Sequence, residues 1–148
     1  MAHVRKQIRD RMSSTLISGV ALVSSRVYTS RTYPMTTSNL PALTVYAGSE
    51  TSNLVTIGIS KTLQRRLSVS VDVYARATSD LDDDIDAITV QVEEAIAADF
   101  TVNGLAKEAL LISTDIEYSG EAEQQIGIAH MVYDVLYHTS VVDVETAK

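Results

Sequence analysis

From Leu63 to Ala75 every second position is apolar apart from Arg65: Leu63, Leu67, Val69, Val71, Val73 and Ala75. The positions between them include Gln64, Arg66, Ser68, Ser70 and Asp72, so the segment reads as a strand with one buried face. After Thr78 and Ser79 the period changes. Leu81, Ile85, Ile88, Val92 and Ile96 recur at three- and four-residue steps and form one stripe down a helix. Ser79 stands where a cap is needed, and Asp80, Asp82, Asp83 and Asp84 crowd the first turn, where free amide N–H groups and the helix dipole favour anions.

The flanking segments extend this pattern. Val4, Ile8, Met12 and Leu16 repeat every fourth residue among charged neighbours, which predicts an amphipathic helix ended by Gly19. Arg26 to Tyr33 is rich in β-formers and stops at Pro34, after which Met35 to Asn39 reads as a loop. Ala42 to Ala47 predicts a further strand closed by Gly48, and Ser49 to Lys61 is either a long excursion or a hairpin arm. Asn103-Gly104 marks a turn after the second helix. Leu110, Ile112, Thr114, Ile116 and Tyr118 then alternate with polar residues, Ser119 to Gln125 is an acidic loop, and Ile126 to His138 forms a second strand. That strand sets Ala129, Met131, Tyr133, Val135 and Tyr137 on one face, with Ile128, Val132 and Leu136 on the other, which is too apolar for plain solvent. The order α-β-β-β-α-β-β predicts an α+β domain over residues 1–138, with a mainly antiparallel sheet carrying helices. Residues 139–148 show no period and are expected to form a C-terminal tail.

Composition changes this picture in two ways. There is no cysteine, so packing or oligomerisation must hold the fold without disulfides or thiolate metal sites. No apolar run approaches the roughly 20 residues of a membrane span, and no signal-peptide pattern follows the basic N-terminus, so a soluble, non-membrane protein is expected. The net charge of -7 conceals a polarity along the chain. Residues 1–76 hold ten Lys or Arg against three acids, a balance of +7, while residues 77–148 hold two Lys against sixteen acids, a balance of -14.

Tests for chemistry yield little. Asp82, Asp84, Asp86 and Glu93 match positions one, three, five and twelve of an EF-hand loop, but the required glycine is Ala87 and a helical stripe runs through the segment. On a strand, His130, Asp134 and His138 stand about 13 Å apart at each step, too far to share an ion. No nucleophile motif or phosphate loop occurs among six scattered glycines. The basic side of the first helix (Arg5, Lys6, Arg9) reads as a wet helix face more readily than as a phosphate site. No catalytic, cofactor-binding or metal-binding residue is therefore expected.

The succession LPALTVYAGSE (Leu40 to Glu50), KTLQRRLSVSVDVYARA (Lys61 to Ala77), DLDDDIDAITVQVEEAIAAD (Asp80 to Asp99) and TVNGLAKE (Thr101 to Glu108) resembles the tail terminator proteins of long-tailed bacteriophages, relatives of the lambda minor tail protein U. The resemblance covers about residues 3–138 in the order of elements. It implies a structural, non-enzymatic virion protein without cofactors, assembled in the host cytoplasm. Six copies would ring the head-proximal end of the tail tube, stop its growth and meet the head–tail connector, with DNA passing through the lumen unbound. Charge polarity suits a ring, in which one side of each subunit meets a different side of the next. The expected subunit contacts set Arg26, Arg31, Arg65 and Arg66 against Asp82, Asp83, Asp86, Glu93, Glu94, Glu121 and Glu123, with Ile128, Val132 and Leu136 supplying apolar area. Three other readings stay open: a head-completion or connector protein, an acidic metal-dependent enzyme, and a host-directed binding module.

Overall fold

The computed structural model describes residues 2–23, 26–29, 41–56, 58–59, 61–76, 81–119 and 126–148, with the backbone alone for Leu81 and Ser119. The chain runs through α1 (Val4–Gly19), a 3-10 turn (Ala21–Val23), β1 (Val27–Tyr28), β2 (Ala42–Leu54), β3 (Thr62–Arg76), α2 (Leu81–Ala98), β4 (Glu108–Ser119) and β5 (Ile126–Ser140). This is the expected α+β order. The strands form one sheet in the order β1-β2-β3-β5-β4, antiparallel except for the short β1–β2 pair. Both helices cover one face of it, α1 over β1 and β2, and α2 over β3, β5 and β4.

The buried face follows the period-two pattern. Leu67, Val69, Val71 and Val73 lie opposite Val135, Tyr133, Met131 and Ala129, and all are buried beneath Ile85, Ile88, Val92 and Ile96 of α2. Val4, Ile8, Met12 and Leu16 bury the matching stripe of α1. Each fully buried Val, Leu or Ile contributes about 1.5 to 3 kcal/mol relative to exposure. The helices meet closely at Gly19, where a Cβ would stand 2.8 Å from Ala95 Cβ. His3 caps α1, its Nδ1 accepting from the Arg5 N–H at 3.0 Å. Burial and the neighbouring Arg5 charge lower the His3 pKa, which keeps that nitrogen a neutral acceptor.

Two bulges depart from the simple alternation. β2 does not end at Gly48: a register shift between Ala47 and Glu50 inserts one residue, and the strand continues to Leu54 as the arm of a hairpin with β3. The extra residue turns Glu50, opposite Leu67, toward the helices. In β4 the shift between Leu111 and Ser113 breaks the predicted face, so that Leu110, opposite Asp134, points away from the helices, while Ile116 and Tyr118, opposite Ala129 and Gly127, point toward them. The turn before β4 holds Val102, Asn103 and Gly104 at φ of 51°, 55° and 82°. The Asn-Gly pair predicted this backbone, whereas Val102 pairs a β-branched side chain with a conformation it rarely adopts. The stretch expected as a tail folds back: Val4 N–H donates to the Val144 carbonyl, Lys148 N–H to the His138 carbonyl, and Ala147 bridges Thr139. The predicted cap Ser79, the remainder of the strand expected from Arg26 to Tyr33 beyond Thr29, and the loop Gly120 to Gln125 lie outside the described residues.

Candidate assembly surfaces

The residue that interrupts the apolar series of β3 has a specific place. Arg65 lies opposite Tyr137 on the helix side of the sheet, its side chain only 11% exposed. It reaches Glu50 Oε2 at 3.3 Å and donates from Nε to Thr139 Oγ1 at 3.0 Å. Glu50 also accepts from Arg5 at 2.8 Å and from the Tyr137 hydroxyl. Burial, then the Glu50 carboxylate, raises the Tyr137 pKa far above its ordinary value, so the phenol stays a donor. This cluster ties α1, β2, β3 and β5 together within one chain. Arg65 is thus committed internally, in contrast to the surface role expected for it, and its neighbour Arg66 projects from the opposite face.

Among the described residues no helix covers that opposite face. Arg66 is exposed there and pairs with Asp134 at 2.6 Å. Ile128, Val132 and Leu136 line the same face of β5, each half-buried. A polar chain crosses beside them: the Tyr46 hydroxyl donates to Asp72 Oδ2 at 2.9 Å, His130 Nδ1 meets Asp72 Oδ1 at 2.9 Å, and His130 Nε2 faces Glu117 Oε2 at 3.4 Å. Burial acts to lower the His130 pKa, but the Asp72 and Glu117 carboxylates outweigh it and raise the value. An imidazole held between two carboxylates favours its cation, which braces β3, β5 and β4 and makes a poor general base. Of His130, Asp134 and His138, His130 turns to Asp72 and Glu117, while Asp134 turns to Arg66. Among the described residues no group of three His, Asp or Glu could hold a metal ion.

Charge is divided between flanks. α1, over β1 and β2, carries Arg5, Lys6, Arg9 and Arg11. α2, over β3, β5 and β4, carries six acids and no base. Asp82 accepts from the Tyr118 hydroxyl. The exposed Asp83, Asp86, Glu93 and Glu94 have no basic partner among the described residues. Asp99, at the end of this helix, belongs to the fold instead. Burial opposes its ionisation, yet the Asn103 N–H, Arg11 at 3.0 Å and the Thr15 hydroxyl together hold its carboxyl below the usual range. Arg26 spends its Nε–H on the Pro41 carbonyl at 2.7 Å. Arg31, Glu121 and Glu123 lie outside the described residues.

Comparison with known proteins adds a distant likeness to this geometry. No family model matches the chain, and no curated protein does. Among solved structures, a chain from the "Virion of native gene transfer agent (GTA) particle" superposes with a TM-score of 0.38 at 16% identity, over 90% of this chain and 92% of that one. A likeness of that size does not bear on what this chain does.

Two surfaces were not evident from sequence periodicity. At one end of the sheet Leu54, Val55, Ile59, Val141 and Val142 are all exposed, the last two brought to the hairpin by the Val141 N–H to Lys61 carbonyl bond. Along the far edge, β4 exposes Leu110, Ile112, Ile116 and Tyr118. A cavity of about 350 Å³ lies among Leu22, Pro41, Ala75, Asp84, Ala87 and Ile88, and its lining is mostly apolar.

Proposed function

We propose that this chain is a structural virion subunit of the tail-terminator type, which assembles into a ring capping the head-proximal end of a phage tail tube, ends tube growth and presents a surface for head joining. One observation carries the reading: Asp83, Asp86, Glu93 and Glu94 of α2 stand exposed without a basic partner among the described residues, while α1, over β1 and β2, carries Arg5, Lys6, Arg9 and Arg11. A subunit with unlike flanks suits heterologous contact, and repetition of such a contact closes a ring when the rotation permits. The resemblance of Leu40 to Glu50, Lys61 to Ala77, Asp80 to Asp99 and Thr101 to Glu108 to tail terminators supports the position in the virion.

In this reading Arg26, Arg31 and Arg66 face Asp82, Asp83, Asp86, Glu93, Glu94, Glu121 and Glu123 of a neighbour, and Ile128, Val132 and Leu136 contribute apolar contact. At -7 per subunit the ring is strongly acidic, which lets DNA slide through its lumen without sticking. Light scattering with negative-stain imaging of the purified chain tests the assembly, and addition of open tail tubes or filled heads tests its place. Rings of about six copies that bind tube ends and stop elongation are expected. Binding to filled heads alone would assign the chain to head completion, and a monomer at all concentrations would overturn the ring.

A further inference from the structure

We infer that the outer edge of β4 is a seam that receives a second copy of this chain, which enters with its basic, α1-bearing flank. The inference rests on the ring reading for the identity of its partner and names the strand that reading leaves open. β4 is the last strand of the sheet, and no described segment pairs with its far side. An edge of twelve residues presents a row of backbone donors and acceptors to any chain that lies along it. Of the devices that blunt solitary edges, Glu108–Ser119 lacks lysine, proline and brevity, and carries only the bulge at Ile112 and the acids Glu108, Asp115 and Glu117.

The side chains point the same way. Leu110 (52% exposed) lies on the open face, Ile112 (60%) at the bulge, and Ile116 (45%) and Tyr118 (53%) on the helix side. Apolar groups are therefore bare on both faces of one strand, a pattern that fits a partner embracing the edge better than one resting on a single face. Acids decide which surface of the partner docks. Glu108, Asp115 and Glu117 punctuate β4, and the exposed acids of α2 lie on the same side of the molecule. Two β4 edges joined about a two-fold axis would bring all these carboxylates together, and such juxtaposition is unfavourable. The flank bearing Arg5, Lys6, Arg9 and Arg11 keeps a basic balance of four cations against Asp10 on α1, although Arg5, Lys6 and Arg11 each hold a carboxylate of their own subunit, and Ile17 is exposed on the same helix. Head-to-tail contact between edge and flank is heterologous, as ring closure requires.

Light scattering over a concentration series, with circular dichroism to verify folding, tests the seam in the full chain. Ile112→Lys alters a side chain already in solvent, so it should fold as wild type and associate at least about tenfold more weakly. Leu110→Lys is the second probe, should Ile112→Lys disturb the bulge. Val142→Lys, at the far end of the sheet, should associate as wild type. The Glu108→Lys, Asp115→Lys pair separates the geometries: weaker association is expected for a basic partner, and stronger association would show β4 pairing with β4 and overturn the inference. Lysine variants that form wild-type rings would remove the seam while leaving the ring intact. A wild-type chain that never associates would remove both.

Discussion

Replacing Arg65 tests whether a charge among the apolar positions of β3 stabilises the fold. The guanidinium is 11% exposed and its partner Glu50 is 9% exposed, so the pair is screened little by water. Removing one partner of a buried pair costs about 3 to 5 kcal/mol, because the other charge is left without compensation. Arg5 still reaches Glu50 at 2.8 Å, which places Arg65→Met near the lower end, about 3 kcal/mol. Glu50→Met leaves two cations and an unpaired Tyr137 hydroxyl and should cost a similar amount. The double variant should cost less than the sum by about 1 to 3 kcal/mol, since the two residues lose one shared interaction. Urea unfolding followed by circular dichroism, at a concentration where the chain is monomeric, measures all three. An Arg65→Met variant within about 0.5 kcal/mol of wild type, or strict additivity in the double variant, would refute the reasoning. By the same geometry charge reversal at Arg65 should perturb folding, whereas reversal at Arg66, 49% exposed, should read surface charge.

Gly19→Ala should destabilise by about 1 to 3 kcal/mol despite alanine's higher helix propensity, because its Cβ would meet Ala95 Cβ at 2.8 Å; in an Ala95→Gly background the same change should be neutral or stabilising, as thermal melts will report. The raised pKa of His130 means that the stability it contributes is complete below the ordinary value of 6.5 and is lost as pH rises through the higher folded value. Melting temperatures of wild type and His130→Asn, compared from pH 6 to about pH 9, should therefore converge with rising pH, over a span below about 1 kcal/mol because a third of the imidazole is in water.

The pattern of the chain disclosed most of the fold because two periods carry different physics. Alternation over Leu63 to Ala75 and fourfold recurrence over Val4 to Leu16 each put apolar side chains on one side only, and a sheet with two helices on one face satisfies both. Bulges were not legible, since one inserted residue changes no composition. Gly48 therefore looked like a strand end, when it lies in the step that delivers Glu50 to the core side. Arg65 carried a usable signal, an arginine in phase with buried positions, but the sequence does not reveal a carboxylate fifteen residues away as its partner. The Asn103-Gly104 turn was readable because those residues tolerate positive φ, while Val102 shares that backbone without any cue.

Intrachain pairing also revises how charge can act between copies. The first part of the chain has a balance of +7, yet Arg5, Lys6, Arg11, Arg65 and Arg66 each already hold a carboxylate within the subunit. Asp83, Asp86, Glu93 and Glu94 of α2 are not engaged in this way among the described residues, so uncompensated charge on the molecule is mainly acidic. Exposed pairs formed across a contact contribute about 0 to 1 kcal/mol each and weaken as salt shortens the screening length. Steering and exclusion of like-charged docking are therefore the work left for charge, and cohesion falls to apolar area and strand pairing. Added salt should accordingly slow ring formation more than it loosens rings already formed, whereas lysine at Ile112 should loosen them at every ionic strength.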